Sequence, residues 1–158
     1  MSTTQITVKH NFETAHRLPF LGGKCDSLHG HSWWVTFTIY NMQEDMNGGV
    51  DVNGIAAEYG NVKKVIREWI DRYLDHGSML GKNDLLVKQN APLGKVFIFG
   101  EGIVHGYMNK PWPTVEAVAE MLCMKVQQTL DEVFQGLFID RVELQETHVN
   151  GVVYIQGV

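Results

Sequence analysis

Residues 32–40 read Ser-Trp-Trp-Val-Thr-Phe-Thr-Ile-Tyr, and this run decides the fold class. β-branched and aromatic side chains fill it, which is typical of a β-strand. Upstream, residues 5–12 (QITVKHNF) alternate apolar and polar side chains and predict a second strand. Glycines and a proline within residues 18–26 predict the loop that joins the two strands. The chain therefore begins with a pair of neighbouring strands.

Downstream of this strand pair the apolar residues change to a helical period. Residues 56–74 carry them three and four positions apart, which predicts a first helix. A second helix is predicted from Pro113 to a stop at Gly136. Between the helices, residues 81–112 include a KVFIF run that could form a short strand. The glycines and prolines around that run favour a long excursion, of a kind that is often functional.

The C-terminal part of the chain returns to alternation. Residues 140–146 and 152–156 predict two more strands, and Asn150-Gly151 between them is a strong hairpin signal. The order strand, strand, helix, helix, strand, strand predicts an α+β fold, with a four-stranded antiparallel sheet and two helices on one face. A length of 158 residues is typical of one domain, so residues 1–158 are predicted to form a single domain.

The composition is that of an ordinary globular chain, with 44% hydrophobic and 20% charged residues. The net charge of −5 argues against a nucleic-acid partner, because phosphate backbones attract basic surfaces. No apolar run approaches the ~18 residues of a membrane span, and the N-terminus lacks the apolar stretch of a signal peptide. We therefore expect no membrane partner and a cytoplasmic location. There Cys25 and Cys123 should stay reduced, with a disulfide between them as the alternative.

Three histidines carry the strongest chemical signal. His29 and His31 lie two residues apart at the entry to a strand, so both imidazoles point to the same face. His16 ends the first strand segment, and pairing of the two strands would bring it alongside. Three imidazoles with an open fourth position are typical of a catalytic zinc site. Iron, copper and nickel stay open as alternatives, as does a set of ordinary histidines that binds no metal.

Cys25 lies four positions before His29. The residues alone leave the role of its thiol open. It fits a fourth ligand of a small structural zinc domain, a thiolate nucleophile or base, or a buried thiol. Asp75-His76 directly follows the first predicted helix. A carboxylate beside an imidazole can orient the ring and raise its basicity, so this pair is a candidate for proton transfer.

Three further polar residues lie near the ends of predicted elements. Thr114 and Glu116 fit an ordinary helix start, with Thr114 as the N-cap and an acidic charge in the first turn. Glu146 ends a strand, where a carboxylate is usually solvated. A buried carboxylate at that position would need hydrogen-bond donors on its ligand.

Five short motifs follow one another along the chain. They are residues 12–19 (FETAHRLP), 24–32 (KCDSLHGHS), 74–76 (LDH), 113–116 (PTVE) and 145–147 (QET). In this order they span nearly the whole chain and resemble the 6-pyruvoyl-tetrahydropterin synthase superfamily. Each motif is weak alone, and together they are highly specific.

The resemblance implies a tunnelling fold and a zinc-dependent enzyme. In such a fold three subunits form a barrel, two trimers stack as a hexamer, and the active sites lie between subunits. The residues that match the family's functional positions fall into three sets. The metal ligands are His16, His29 and His31; the catalytic set is Cys25, Asp75 and His76; the substrate-binding set is Glu146, Thr114 and Glu116.

The implied substrate is a small molecule, 7,8-dihydroneopterin triphosphate. Cys25 would act as the catalytic base and Glu146 would anchor the pterin ring. Arg17, Lys24 and Lys82 are basic candidates for contacting the triphosphate. The chain departs from the family pattern at Glu58-Tyr59, where Asp-Phe is usual, and in the length of residues 41–54 and 81–112.

The spacing between Cys25 and His29 is similar to that of the carboxy-forming bacterial branch of the superfamily. That branch implies the products 6-carboxytetrahydropterin, acetaldehyde and triphosphate, an early step toward 7-deazaguanines such as queuosine. Two alternatives stay open. One is the same fold making 6-pyruvoyl-tetrahydropterin, and the other is a non-catalytic module that binds zinc or a pterin.

Overall fold

The computed structural model describes residues 3–101 and 106–157, without the side chains of residues 45 and 46. The strands are β1 (Ile6–His16), β2 (His29–Asn41), β3 (Gly77–Gly81), β4 (Val96–Phe99), β5 (Leu137–Gln145) and β6 (Gly151–Ile155). The helices are α1 (Tyr59–Tyr73), α2 (Leu85–Lys88) and α3 (Val115–Val133). Short 3-10 turns occupy Pro19–Leu21, Gly23–Asp26 and Met42–Asn47.

The strands form one sheet in the order β4-β3-β1-β2-β5-β6. β1 with β2, β2 with β5 and β5 with β6 are antiparallel, while β3 runs parallel to both β1 and β4. The four predicted strands are present as β1, β2, β5 and β6. The prediction of a four-stranded antiparallel sheet is nevertheless wrong, because β3 and β4 extend it into a six-stranded mixed sheet.

The two extra strands escaped prediction for a physical reason. β3 reads GSMLG, and four of its five residues are buried. A strand covered on both faces has no apolar–polar alternation, so its period cannot be seen in the sequence. β4 is the KVFIF run, whose composition allowed a strand. The excursion over residues 81–112 therefore contains regular structure, although residues 102–105 lie outside the described part.

A third helix, α2, was also absent from the prediction. It spans a single turn, and Asp84 caps it by accepting a 2.8 Å hydrogen bond from the Leu86 N–H. The two predicted helices, α1 and α3, both pack on one face of the sheet. Among the described residues, no helix combines the length and the apolar character that crossing a bilayer requires.

The core lies between this sheet face and the two long helices. Alternate residues of β2, among them Trp33, Val35 and Phe37, are fully buried there. α3 contributes an apolar stripe that includes Val118 and Leu122. Burial of each large side chain contributes about 1.5–3 kcal/mol. The same alternation places His29 and His31 on the helix-facing side of β2, at its beginning.

Candidate active site

The pairing of β1 with β2 brings the three histidines together. His16 lies directly opposite His29, and Thr14 lies opposite His31. The ring centroids are 4.8 Å apart for His16 and His29, 4.9 Å for His29 and His31, and 5.3 Å for His16 and His31. One nitrogen of each ring lies within 4.8 Å of the others.

Main-chain carbonyl groups orient two of the three rings. His16 Nδ1 lies 2.9 Å from the Pro113 carbonyl oxygen, and His29 Nδ1 lies 2.7 Å from the Ser27 carbonyl oxygen. A carbonyl oxygen only accepts, so each Nδ1 carries the hydrogen, and in the neutral ring the lone pair is on Nε2. Metal-ligating histidines usually have this arrangement, in which the second nitrogen donates to a fixed acceptor.

The environment of His16 favours the neutral imidazole. The side chain is 1% exposed, and burial lowers the pKa of His16 to about 4, against the raising effect of the Pro113 carbonyl. Burial also lowers the pKa of His31. Trp33 packs edge-on against both rings. Its ring centroid lies 5.1 Å from that of His16 and 5.7 Å from that of His31. Neutral imidazoles are the form in which histidine binds metals.

The donor set fits a divalent metal. The Nε2 atoms of His16 and His31 are buried and make no hydrogen bond within the described residues. Buried polar atoms without a hydrogen bond are rare in folded proteins and call for a partner such as an ion. Glu146 Oε1 lies 3.2 Å from His16 Nε2 and 3.8 Å from His31 Nε2. Three imidazoles suit zinc, which takes nitrogen ligands readily.

Cys25 lies in the 3-10 turn Gly23–Asp26, between β1 and β2. It is half-buried, and its carbonyl oxygen accepts a 2.7 Å hydrogen bond from the Leu18 N–H. Both cysteines are free, so the alternative of a disulfide is wrong. Cys123 lies within α3 in the core, where burial raises the pKa of its thiol to about 12.

Arg17 holds the Cys25 turn in place. Its guanidinium lies 2.7 Å from Asp26 Oδ1 and 3.5 Å from Asp84 Oδ2. These two ion pairs connect the Cys25 turn to the start of α2. Arg17 is therefore engaged in the protein's own structure, which argues against its expected contact with a triphosphate. Lys82 is likewise occupied, because its Nζ donates to the Glu101 carbonyl oxygen.

Asp75 and His76 form a turn between α1 and β3. Asp75 Oδ2 lies 2.6 Å from His76 Nδ1, and Asp75 Oδ1 accepts a 2.8 Å hydrogen bond from the Glu13 N–H. His76 has a φ of 55°, in the left-handed region that few residues other than glycine adopt. Its N–H donates a 2.7 Å hydrogen bond to the Glu13 carbonyl oxygen, which holds that conformation.

Lys95 supports the same turn from β4's side. Its Nζ donates to the carbonyl oxygens of Asp71 and Asp75 at 2.7 Å and 2.6 Å. Burial alone would raise the pKa of Asp75, but the hydrogen bonds from Glu13 and His76 and the charge of Lys95 lower it overall. The Asp75 carboxylate is thus ionised and orients an imidazole that is 80% exposed.

The structure does not join the three predicted catalytic residues within one chain. No hydrogen bond or ion pair connects Cys25 to Asp75 or His76 in residues 3–101 and 106–157. The pair contacts β1 at Glu13, which precedes His16 by three positions.

The predicted substrate-binding residues separate into two kinds. Thr114 Oγ1 accepts a 3.2 Å hydrogen bond from the Ala117 N–H and caps α3, as expected of an N-cap. Glu116 is exposed in the first turn of α3. This segment reaches the histidines through the Pro113 carbonyl oxygen. Glu146 lies at the histidine cluster itself.

An open cleft of about 570 Å³ adjoins the cluster. Its lining includes His31, Gln145, Glu146 and Thr147. Trp34 and Lys9 line it as well, with Lys9 Nζ 5.1 Å over the Trp34 ring. Another cleft, of about 620 Å³, lies between α1, α3 and β4 and contacts none of the predicted site residues. Of these two clefts, the first is the one that His31 and Glu146 line. A cleft with polar groups beside the histidine cluster is the candidate substrate site.

Three residues that shape the site were absent from the predicted set. Trp33 follows His29 and His31 at the same two-residue spacing, so its position beside the rings was visible in the sequence. Glu13 and Lys95 contact the Asp75 turn from positions far away along the chain. No local pattern could have revealed those contacts.

The sequence profile of a family described as 6-pyruvoyl tetrahydropterin synthase matches residues 5–156, which is nearly the whole chain. The chain belongs to this family. The resemblance seen in the five motifs is thereby confirmed.

A relative agrees with that assignment, and two solved structures share the fold. A 6-carboxy-5,6,7,8-tetrahydropterin synthase of Rickettsia typhi is 30% identical over 137 residues, covering 87% of this chain and 85% of the relative. An uncharacterized protein of Wolinella succinogenes superposes with a TM-score of 0.72 at 16% identity. A 6-pyruvoyl tetrahydropterin synthase of Plasmodium vivax superposes with a TM-score of 0.67 at 15% identity. Both structures cover 98% of each chain and share the fold.

Proposed function

We propose that this chain is a zinc-dependent 6-carboxy-5,6,7,8-tetrahydropterin synthase. It converts 7,8-dihydroneopterin triphosphate and water to 6-carboxytetrahydropterin, acetaldehyde and triphosphate, in the biosynthesis of 7-deazaguanines. The observation that carries the proposal is the relative of that name, which aligns with most of the chain. Membership of a pterin-metabolising family supports a small-molecule pterin substrate. The short Cys25-to-His29 spacing supports the carboxy-forming branch.

His16, His29 and His31 would hold the zinc. In His16 and His29 the carbonyl contacts of Nδ1 leave Nε2 free for the metal. Bound there, zinc supplies Lewis acidity that lowers the pKa of substrate hydroxyl groups. The geometry supports this assignment, because the buried Nε2 atoms of His16 and His31 make no hydrogen bond within the described residues and need a partner.

The remaining residues move protons and hold the ring. Cys25 takes a proton from a carbon next to the pterin ring. His76, oriented by the Asp75 carboxylate, passes protons to and from the substrate side chain. Glu146 accepts hydrogen bonds from the ring N–H and the amino group of the pterin, in the cleft that it lines.

We further propose a homo-oligomer, a hexamer built from two trimers, located in the cytoplasm. Within the described residues, no hydrogen bond or ion pair joins Cys25 to the Asp75–His76 pair, which supports active sites completed by a neighbouring subunit. The exposed β6 edge strand supports association as well, because Val153 and Ile155 present apolar side chains there.

The test is identification of the pterin product. Purified zinc-loaded protein is incubated with 7,8-dihydroneopterin triphosphate, and the products are separated and weighed by mass spectrometry. We expect 6-carboxytetrahydropterin from the wild type. Cys25→Ala should retain its zinc and lose turnover. Formation of 6-pyruvoyl-tetrahydropterin would place the chain in the other branch, and unchanged turnover of Cys25→Ala would refute the role of the thiol.

A further inference from the structure

Glu146 lines the open cleft and also faces the histidine cluster. Its Oε1 lies 3.2 Å from His16 Nε2 and 3.8 Å from His31 Nε2. The carboxylate is largely buried, with 18% of the side chain exposed. Within the described residues, no lysine or arginine forms an ion pair with it. Its neighbours are therefore the two imidazoles.

The turn after β5 holds Glu146 in this position. The Glu146 N–H and the Thr147 N–H both donate to the Asn150 carbonyl oxygen, at 3.1 Å and 3.3 Å. Thr147 Oγ1 in turn accepts hydrogen bonds from the N–H groups of Val149 and Asn150. A backbone fixed by four hydrogen bonds places the carboxylate near the rings before any ligand arrives.

The contact between Glu146 and His16 brings two acceptors together. His16 Nδ1 carries the hydrogen that it donates to Pro113, so in the neutral ring Nε2 presents a lone pair. A carboxylate oxygen also presents lone pairs. Two acceptors 3.2 Å apart in a buried place repel each other unless a cation lies between them. The arrangement of Glu146 and His16 is therefore the one that a bound cation would stabilise.

We propose that Glu146 is a fourth ligand of the metal held by His16, His29 and His31 when the cleft is empty, and that it leaves the metal to bind the arriving pterin. This inference rests on the proposed function for the identity of the metal and of the substrate. Carboxylates are regular zinc ligands, and a fourth protein ligand closes a site that three histidines leave open.

The exchange makes Glu146 a link between metal and substrate. The Glu146 carboxylate cannot bind the metal and the pterin at the same time. Binding of a pterin should therefore lower the affinity of the site for the metal. By thermodynamic linkage the coupling is reciprocal. A closed site also retains its metal between turnovers, when no substrate contributes a ligand.

Metal affinity tests the proposal without reference to turnover. Zinc affinity is measured by competition with a chromogenic chelator for the wild type and Glu146→Gln. The matched control is Glu143→Gln, which makes the same change on an exposed residue of β5. We expect Glu146→Gln to lose affinity on the order of 10- to 100-fold, as for a residue that supports a metal site. The control should equal the wild type.

Cobalt(II) gives a second readout, because its visible absorption follows the number and kind of its ligands. The spectrum should change in Glu146→Gln and, in the wild type, on addition of 7,8-dihydroneopterin. Should Glu146→Gln not fold, Glu146→Asp replaces it, since the shorter side chain withdraws the oxygen from both nitrogens. Unaltered affinity and spectrum in these variants would overturn the inference and leave Glu146 as a pterin contact only. A wild type that binds no metal would overturn the proposed function as well.

Discussion

The main-chain N–H of Glu13 donates a 2.8 Å hydrogen bond to Asp75 Oδ1, joining the middle of β1 to the turn after α1. The Glu13 carbonyl oxygen accepts the His76 N–H in return, at 2.7 Å. β1 thus contacts the Asp75–His76 pair at Glu13, and His16 follows three residues later on the same strand. β1 is the strand that connects the Asp75–His76 pair to His16.

This relationship predicts a pH dependence of stability. The pKa of Asp75 is lowered in the folded protein by Glu13, His76 and Lys95, against the opposing effect of burial. A lowered pKa means that the folded state favours the carboxylate. Its stabilisation is present above the ordinary value of 3.8 and is lost as the pH falls through the folded-state pKa.

Asp75→Asn checks that prediction. The variant should be less stable than the wild type by about 1–3 kcal/mol at neutral pH, since hydrogen bonds to a charged group are lost. Urea unfolding of both proteins from neutral pH to about pH 3 should show the difference shrinking only below the ordinary Asp pKa. A difference that stays constant across this range would contradict the assigned role of the carboxylate.

The separation of Cys25 from the Asp75–His76 pair predicts complementation between subunits. Cys25→Ala and His76→Ala should each be inactive alone. When the two variants are mixed under conditions that exchange subunits, sites that combine an intact Cys25 with an intact His76 should regain turnover. Co-purification of differently tagged subunits verifies the exchange. Verified mixed oligomers without activity would show that both residues must belong to one chain.

Trp33 should support both the fold and the metal site. Its Nε1 donates a 3.1 Å hydrogen bond to the Thr14 carbonyl oxygen, and its ring packs against His16 and His31. Trp33→Phe removes that donor and leaves a gap in the core, with an expected loss of about 2–4 kcal/mol in the free energy of unfolding. Zinc affinity should fall by about 10-fold, because the His16 and His31 rings lose part of the side chain that packs against them.

The next residue offers the control for that substitution. Trp34 is 43% exposed on the opposite face of β2. Trp34→Phe should change the free energy of unfolding by less than about 1 kcal/mol, as is usual away from the core. Equal effects of the two substitutions, measured by urea unfolding, would contradict the placement of Trp33 at the site.

The two cysteines should differ in reactivity. Cys25 is half-buried in a turn, whereas Cys123 is fully buried in α3 and has a thiol pKa raised to about 12. Thiolates are the reactive form, so brief treatment of the folded protein with iodoacetamide should modify Cys25 and spare Cys123. Peptide mass spectrometry locates the adduct, and labelling in urea should modify both. An adduct on folded Cys123 would argue against the packing of α3.

The sequence alone predicted the histidine cluster because its geometry is local. His29 and His31 share a strand face, and a short loop returns β1 against β2. The same alternation identified both antiparallel strand pairs. Capping at Thr114 was equally visible, since an N-cap depends only on its own helix.

The parts that escaped prediction depend on distant contacts. β3 has no alternation because both of its faces are covered, and β4 joins the sheet by pairing with β3. The approach of Glu146 to His16 requires the whole sheet, since β5 reaches β1 through β2. Such relationships arise from packing and leave no periodic trace in the chain.

The ratio of acetaldehyde to triphosphate released from 7,8-dihydroneopterin triphosphate tests the central claim most directly. Both products are quantified over the same time course with the zinc-loaded wild-type protein, and Cys25→Ala serves as the blank. A carboxy-forming synthase cleaves the side chain in each turnover, so we predict that the two products appear in equal amounts. Release of triphosphate without acetaldehyde, or of neither product, would contradict the account.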